Sequence, residues 1–196
     1  ASQAVSVDLT AACSGIVFGL VTAAQFIRTG IYQNVLLIGA DFLSRWVDWS
    51  DRSTCVLFGD GAGAVICQSS PEQECLLGFE LRSDGSKNTC LNLVYQGQSK
   101  HLNDKVSISQ GYYQPLAMNG KEVFRFVVRK VPEVIEKVFF RANLTSEQID
   151  WRILHQANHR IIDAVAQRLK IPQEKTISNL SSYGNTSAAS IPLALD

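Results

Sequence analysis

The chain has 196 residues, of which 46% are hydrophobic and 18% charged, and its 18 basic and 18 acidic side chains give a formal net charge of zero. This composition provides enough apolar surface for a folded core and excludes a disordered chain, which would be less hydrophobic and more highly charged. Neutrality does not favour nucleic-acid binding, which requires a basic surface. Five cysteines are too few and too irregularly spaced for a disulfide scaffold, so we expect a reducing compartment.

An uncharged stretch at residues 9–27 is long enough in principle to cross a bilayer. It contains several polar residues and no positive cluster flanks it, so we interpret it as a buried helix and expect no membrane insertion. The first residues lack an initiating Met and a basic segment, and we expect no signal peptide. The last residues stop inside an apolar helical pattern, so the sequence reads as an excerpt of a longer chain.

The hydrophobic pattern predicts an α/β order of elements at the start of the chain. Residues 4–9 have the pattern of a short buried strand, and a helix is predicted over about residues 14–29. The continuous apolar run at residues 35–39 predicts a strand covered on both faces. Strand, helix and strand in this order are typical of a βαβ unit, which implies a parallel sheet. Two further apolar runs, at residues 55–58 and 62–67, are predicted to pair as a hairpin.

The second part of the chain is predicted to be mainly helical after a long polar segment. Residues 83–111 are rich in Asn, Gly, Ser and Lys and are predicted to form a surface excursion. A helix is predicted over residues 120–143, with a bend at Pro132. The remaining predicted elements are a strand at 150–154, a helix at 157–169, a short strand at 176–178, a turn at 181–186 and a last helix at 187–195.

Two motifs suggest a ligand but lack the context that the ligand requires. The glycines of residues 59–63 are spaced like a dinucleotide loop, but a strand-like run follows where that loop needs a helix, so we predict close backbone packing instead. His155 and His159 have a metal-ligand spacing, but Gln156 stands where a zinc protease needs Glu. We therefore expect no metal site.

Three residues stand where a sheet or turn meets a helix. Cys13 precedes the apolar helix, whose free N–H groups and dipole are expected to lower the thiol pKa; alternatively, Cys13 is a buried structural cysteine. His155 follows a predicted strand, where ligands bind in open α/β sheets, or is a partly buried structural histidine. Asn185 follows a glycine and opens a helix, a position that equally suits a capping residue.

Four sequence blocks occur in a specific order: LTAACSG at residues 9–15, FGDGAG at 58–63, LHQAN at 154–158 and YGNTSAAS at 183–190. Together they resemble β-ketoacyl-acyl carrier protein synthase III, the initiating condensing enzyme of type II fatty-acid synthesis, over essentially the whole chain. The resemblance implies an α/β thiolase fold with five layers, α-β-α-β-α, and two similar halves, incomplete in a chain truncated at both ends. Residues 1–70 would belong to the first half, with the nucleophilic Cys, and residues 71–196 to the second, with the His and Asn.

On this resemblance Cys13, His155 and Asn185 form the catalytic triad of an acyltransferase. Cys13 would take the acyl group from an acyl-CoA primer, expected to be acetyl-CoA, and form a thioester. Malonyl-acyl carrier protein would then lose carbon dioxide, while His155 and Asn185 stabilise the enolate that attacks the acyl group. The product would be a 3-ketoacyl-acyl carrier protein. No cofactor is implied, because the coenzyme A thioester and phosphopantetheine are substrates.

Further positions match family residues that contact substrate or carrier. The matches around the coenzyme A and phosphopantetheine tunnel are Arg52, Phe124, Asn158 and Arg160, whereas Ser53 and Lys121 depart from the family pattern. Residues 120–170 hold ten basic and six acidic groups, which would steer an acidic carrier protein. The expected carrier contacts are Arg125, Arg160 and Arg168, in a basic rim that also includes Arg129, Lys130 and Lys170.

Two other functions stay open from the sequence. Polyketide-type condensing enzymes share the Cys-His-Asn set but use malonyl-CoA, and a non-catalytic fragment could bind acyl-CoA without turnover. The resemblance also implies a homodimer, located in a bacterial cytoplasm or, for an alga or plant, in the plastid stroma.

Overall fold

Two antiparallel strands packed on helices organise the first part of the fold. The computed structural model describes residues 4–72, 75–103 and 106–196. The helices are α1 (Gly15–Arg28), α2 (Gly120–Ala142), α3 (His159–Arg168), α4 (Leu180–Tyr183) and α5 (Ser190–Leu195). The strands are β1 (Asn34–Phe42), β2 (Asp60–Gln68), β3 (Leu91–Asn92), β4 (Tyr95–Asn103), β5 (Val106–Tyr113) and β6 (Ala117–Met118).

Strands β1 and β2 pair antiparallel from Asn34 opposite Gln68 to Phe42 opposite Asp60. One face of this pair packs on α1 and α5, whereas the other carries Leu36, Ile38 and Ile66, which are 60%, 58% and 74% exposed. The prediction of a strand at residues 35–39 is confirmed, but the prediction that both faces are covered is wrong. A continuous apolar run shows that both faces of a strand can be buried, but it does not show that another element covers them. No described residue covers this outer face.

Three other strand predictions near the start of the chain are wrong. Residues 4–9 form no strand and are exposed, because no described strand pairs with them, and the predicted βαβ unit with its parallel sheet is therefore absent from the described residues. Residues 55–57 lie in turns and Phe58 forms only an isolated bridge, while the strand at 62–67 pairs with β1 instead. Hydrophobic pattern does not encode strand partners, so these pairings depended on the tertiary fold.

Helices α2 and α3 pack against each other around the buried residues Ile161, Val165, Leu169 and Ile171. Both helices begin at an asparagine cap. Asn119 Oδ1 accepts from the Glu122 N–H over 3.3 Å, and Asn158 Oδ1 accepts from the Ile161 N–H over 2.9 Å. The two predicted helices are confirmed, within one or two residues at each end. The α2 side chains that contact this core are Phe124, Val127, Val131, Ile135 and Phe139.

The predicted surface excursion is exposed, but it is not irregular. Strands β4 and β5 form an antiparallel hairpin, and every described residue in it is exposed. The Tyr113 ring lies 5.2 Å from the ring of Trp46, which anchors the base of the hairpin.

The predicted strands at residues 150–154 and 176–178 reduce to one parallel bridge between Arg152 and Thr176. A second parallel bridge joins Phe58 to Asn185 and holds the loop before α5 against the start of β2. Glycines in β2 and directly before it make this approach possible: a Cβ at Gly59 would meet the Tyr183 carbonyl oxygen, and one at Gly63, within β2, would lie 2.9 Å from Pro192 Cβ. The prediction of close backbone packing at these glycines is confirmed.

Among the helices of the described residues, none is long and apolar enough to cross a membrane.

Candidate active site

Cys13 lies in a single 3-10 turn, Ala12–Ser14, that leads directly into α1. The Ser14 N–H closes this turn on the Ala11 carbonyl oxygen over 3.0 Å. Ala12 has a φ of +45°, a left-handed conformation that is unusual for a residue with a Cβ and that occurs often at functional sites. Cys13 therefore lies in a tight, strained turn at a helix N-terminus; the helix N-terminus was predicted from the sequence, whereas the strained turn was not.

The loop that carries Asn185 lies against this turn. Ser187 begins a second 3-10 turn, Ser187–Ala189, and also has a left-handed backbone, with a φ of +51°. Asp41, near the end of β1, accepts a hydrogen bond from the Ala188 N–H over 2.9 Å. A Cβ at Gly39 would lie 2.5 Å from the Ala188 carbonyl oxygen, so the strand and the loop are in close backbone contact. Strand β1 thus fixes the loop at the position of the Cys13 turn.

Ser187 is the point at which the three predicted catalytic residues meet. Its N–H donates to Asn185 Oδ1 over 3.0 Å. Its side chain lies close enough to the Cys13 thiol to lower the pKa of that thiol, and its backbone lies close enough to the His155 imidazole to raise the pKa of that ring. Residues separated by more than 140 positions in the sequence are therefore brought to one buried residue, since Ser187 is only 3% exposed.

His155 is half-buried and is held uncharged by its surroundings. Burial lowers the pKa of its imidazole to about 4, with a smaller opposing effect from the Ser187 backbone. Its Nδ1 lies 2.7 Å from the Ser190 hydroxyl at the start of α5. At neutral pH His155 is therefore a neutral imidazole that can donate or accept one hydrogen bond at its other nitrogen.

The prediction of a lowered Cys13 pKa is wrong. Burial raises the pKa of the Cys13 thiol, and the nearby Asp41 carboxylate also raises it, whereas the hydrogen bond with Ser187 lowers it. Desolvation of a thiolate costs more than the effect of one helix N-terminus, which is typically below about 1 kcal/mol. The resting residue is consequently a protonated thiol.

Asn185 is buried, 7% exposed, and its two amide ends have different surroundings. The carbonyl end accepts the Ser187 N–H, while no described residue accepts a hydrogen bond from Nδ2. The amide group therefore keeps its donors available to a ligand.

Sequence reasoning missed four residues that position the triad: Asp41, Gln156, Ser187 and Ser190. Three of these lie inside the quoted blocks around His155 and Asn185, so the blocks contained the signal, but only the reactive residue types were interpreted. Asp41 follows a predicted strand and carried no motif that would have identified it.

The structure brings together some of the predicted coenzyme A residues. The Arg160 guanidinium lies 5.3 Å from the centre of the Phe124 ring, a cation–π contact between α3 and α2. Asn158 uses its side chain as the cap of α3. Arg52 is exposed in a turn, and in the part of the chain that the structure describes no hydrogen bond, ion pair or ring contact joins it to Phe124 or Arg160.

The predicted carrier contacts are exposed on α2 and α3. Arg125 pairs with Glu122 over 2.8 Å, and Lys130 pairs with Glu133 over the same distance, so part of the basic charge is locally compensated. Arg125, Arg160 and Arg168 are all exposed. Within residues 4–72, 75–103 and 106–196, no three His, Cys, Asp or Glu side chains form a group that could hold a metal ion.

Comparison with known proteins identifies the family. The family model described as 3-oxoacyl-[acyl-carrier-protein (ACP)] synthase III matches residues 7–85, and the model of the C-terminal part of the same enzyme matches residues 139–196. The β-ketoacyl-[acyl-carrier-protein] synthases III of Trichormus variabilis and a Nostoc species are 68% and 69% identical over all 196 residues. The chain spans 59% of the length of each of these relatives.

Solved structures agree with this assignment. The 3-oxoacyl-[acyl-carrier-protein] synthase III of Aquifex aeolicus has a TM-score of 0.83 and 44% identity, covering 96% of this chain and 56% of its own. The priming β-ketosynthase of the R1128 polyketide pathway has a TM-score of 0.76 and 33% identity, covering 96% and 55%. These matches give the chain an α/β thiolase fold, of which it contains a part. More particularly, the chain belongs to the 3-oxoacyl-[acyl-carrier-protein] synthase III family.

Proposed function

We propose that the full-length protein condenses an acyl-CoA primer, acetyl-CoA in the first instance, with malonyl-acyl carrier protein. The product is a 3-ketoacyl-acyl carrier protein, which initiates fatty-acid synthesis. The proposal rests mainly on one observation: Cys13, His155 and Asn185 all lie next to Ser187. These are the three functional groups that a decarboxylative condensation requires, a nucleophile and two hydrogen-bond donors.

In the first half-reaction Cys13 sulfur attacks the thioester carbonyl of the primer. The carbon–sulfur bond to coenzyme A breaks, the acyl group passes to Cys13, and the proton of the thiol leaves with the coenzyme A thiol. Because the pKa of Cys13 is raised, the thiol is protonated in the resting state, and its proton passes to the departing coenzyme A sulfur as the acyl group is transferred. We expect free backbone N–H groups at the start of α1 to donate hydrogen bonds to the carbonyl oxygen as it becomes negative.

In the second half-reaction the malonyl thioester loses carbon dioxide, and the electron pair of the broken bond becomes an enolate. The Asn185 amide and the neutral His155 imidazole donate hydrogen bonds to the enolate oxygen. A neutral donor suits this step because its proton is not lost to the enolate, and the low pKa of His155 keeps it neutral. The carbanion then attacks the acyl group on Cys13, forms the new carbon–carbon bond and releases the Cys13 thiolate.

The extender is proposed to be carried by acyl carrier protein rather than by coenzyme A alone. The basic residues exposed on α2 and α3 suit an acidic protein partner, and their main contribution would be to the rate of association. The cation–π pair of Arg160 and Phe124 is proposed to line the phosphopantetheine path, with Arg52 and Asn158 as further contacts. A homodimer in the bacterial cytoplasm, or in the plastid stroma of an alga or plant, is part of the same proposal; the relatives named above come from bacteria.

A polyketide-type enzyme that uses malonyl-CoA is the second candidate, favoured by the similarity to the R1128 priming β-ketosynthase. The two candidates are separated by offering the full-length protein a series of acyl-CoA primers with either malonyl-carrier protein or malonyl-CoA. The proposal expects a 3-ketoacyl-carrier protein from acetyl-CoA and far slower turnover with malonyl-CoA. Preference for malonyl-CoA would favour the second candidate, and binding of acyl-CoA without product would indicate a non-catalytic protein.

A further inference from the structure

The buried hydroxyl of Ser190 connects the histidine to the backbone that follows it. Ser190 is 1% exposed and is the first residue of α5. Its Oγ lies 2.7 Å from His155 Nδ1 and accepts a hydrogen bond from the Gln156 N–H over 3.3 Å. One hydroxyl therefore contacts two consecutive residues on the opposite side of the site.

These two contacts determine where the Ser190 proton goes. The Gln156 N–H is a donor, so it occupies a lone pair of Oγ and leaves the hydroxyl proton for another acceptor. Within the described residues, the acceptor in reach is His155 Nδ1. The opposite arrangement, in which Nδ1 carries a proton and donates to Ser190, would leave the hydroxyl proton buried without an acceptor, which is unfavourable.

We propose that Ser190 is a positioning residue that holds His155 as the Nε2–H tautomer with a fixed ring orientation. This inference rests on the proposed function, because it assigns the donor that His155 presents in the second half-reaction. With the proton on Nε2, the imidazole donates to the enolate oxygen as carbon dioxide leaves. With the proton on Nδ1, it would present a lone pair to the same developing negative charge and would repel it.

The group that orients Ser190 is itself fixed. The Gln156 side chain is fully buried, with 0% of the residue exposed. Its Nε2 donates to the carbonyl oxygens of Leu154 and Ile177 over 2.8 and 3.3 Å, and its Oε1 accepts from the Asn179 N–H over 3.1 Å. Because the Gln156 side-chain amide makes these three hydrogen bonds, it ties its own segment to residues 177–179. The Gln156 N–H therefore has little freedom to turn away from Ser190.

The first test reads the tautomer directly and does not depend on activity. Nitrogen NMR of the full-length protein, with His155 labelled, distinguishes the protonated from the unprotonated ring nitrogen at neutral pH. The expected result is the Nε2–H form in the parent and a mixture of both tautomers in Ser190→Ala. Thr186→Val is the matched control, because it removes a buried hydroxyl of the same loop that has no hydrogen-bond partner among the described residues, and it should leave the parent tautomer in place.

The second test separates positioning from a general structural effect. His155 acts only in the decarboxylation step, so Ser190→Ala is expected to slow decarboxylation of the malonyl thioester about 10-fold to 100-fold, the loss expected for one buried hydrogen bond. Acylation of Cys13 by acetyl-CoA should change by less than about 3-fold, since that step does not use the tautomer. Ser190→Thr keeps the hydroxyl and should restore most of the decarboxylation rate.

Each outcome supports or overturns the inference, and its failure is distinct from failure of the proposed function. An Nδ1–H tautomer in the parent overturns the inference even if the variants fail to fold. An unchanged tautomer in Ser190→Ala, or equal losses in both half-reactions, also overturns it while leaving the condensing activity intact. A parent that neither acylates Cys13 nor decarboxylates the malonyl thioester overturns the proposed function, whereas the tautomer measurement still decides the role of Ser190.

Discussion

Acid should destabilise the folded protein through His155 in a way that can be measured. The pKa of this imidazole is about 4 in the folded protein, compared with an ordinary value of 6.5. Between these pH values the unfolded chain binds a proton that the folded protein excludes. The contribution of His155 to the free energy of unfolding is therefore fully present well above pH 6.5 and is lost as the pH decreases toward 4. A tenfold difference in proton affinity corresponds to about 1.4 kcal/mol, so the full loss is about 3 kcal/mol. Most of it, about 2.5 kcal/mol, should appear between about pH 7.5 and about pH 4.5.

Comparing the parent with His155→Gln isolates this contribution from the carboxylates that also titrate in acid. The free energy of unfolding is measured by urea denaturation across the pH range, and the parent should lose about 2.5 kcal/mol more than the variant. His159→Gln is the control for replacing a histidine, because His159 is exposed at the start of α3. If the parent and His155→Gln lose the same free energy, His155 is not held neutral by burial and this reasoning is refuted.

Three further predictions follow from the same site. Alkylation of Cys13 by iodoacetamide should accelerate with rising pH, with a midpoint above that of an ordinary cysteine because burial raises its pKa; a midpoint below the ordinary value would contradict this. Gly39→Ala should destabilise the protein by about 1–3 kcal/mol in urea and impair condensation, because the new Cβ would meet a loop carbonyl oxygen at 2.5 Å. Gly85→Ala, with no atom within 4 Å of the new Cβ, is its control, and equal effects would refute the close contact. Reversing the charges of Arg125 and Arg160 should raise the KM for malonyl-carrier protein about 10-fold at low salt, and an unchanged KM in steady-state kinetics would exclude this basic surface as the carrier site.

The sequence predicted the local features of the site well. The position of Cys13 at the start of a helix, the helices α2 and α3, and close packing at the glycines of residues 59–63 were all predicted from residue type and spacing. The helices were recognisable because their apolar residues repeat at a spacing that only one face of a helix satisfies.

Features that depend on distant parts of the chain could not be predicted. The partner of β1 is β2, and nothing in either strand specifies this pairing before the fold is known. The sign of the Cys13 pKa change was also unpredictable, because the burial and the Asp41 carboxylate that raise it depend on the tertiary structure. The role of Ser187 was hidden for the same reason, since it arises from contacts with residues in three segments.

The central claim is that Cys13 carries the acyl group between the two half-reactions. The direct measurement is mass spectrometry of the full-length protein after incubation with acetyl-CoA, followed by peptide mapping, with Cys13→Ser and Cys55→Ser compared with the parent. We predict one acetyl group on Cys13 in the parent and in Cys55→Ser, none in Cys13→Ser, and its transfer into product when malonyl-carrier protein is added. Acetylation of another residue, or condensation by Cys13→Ser at the parent rate, would contradict the account.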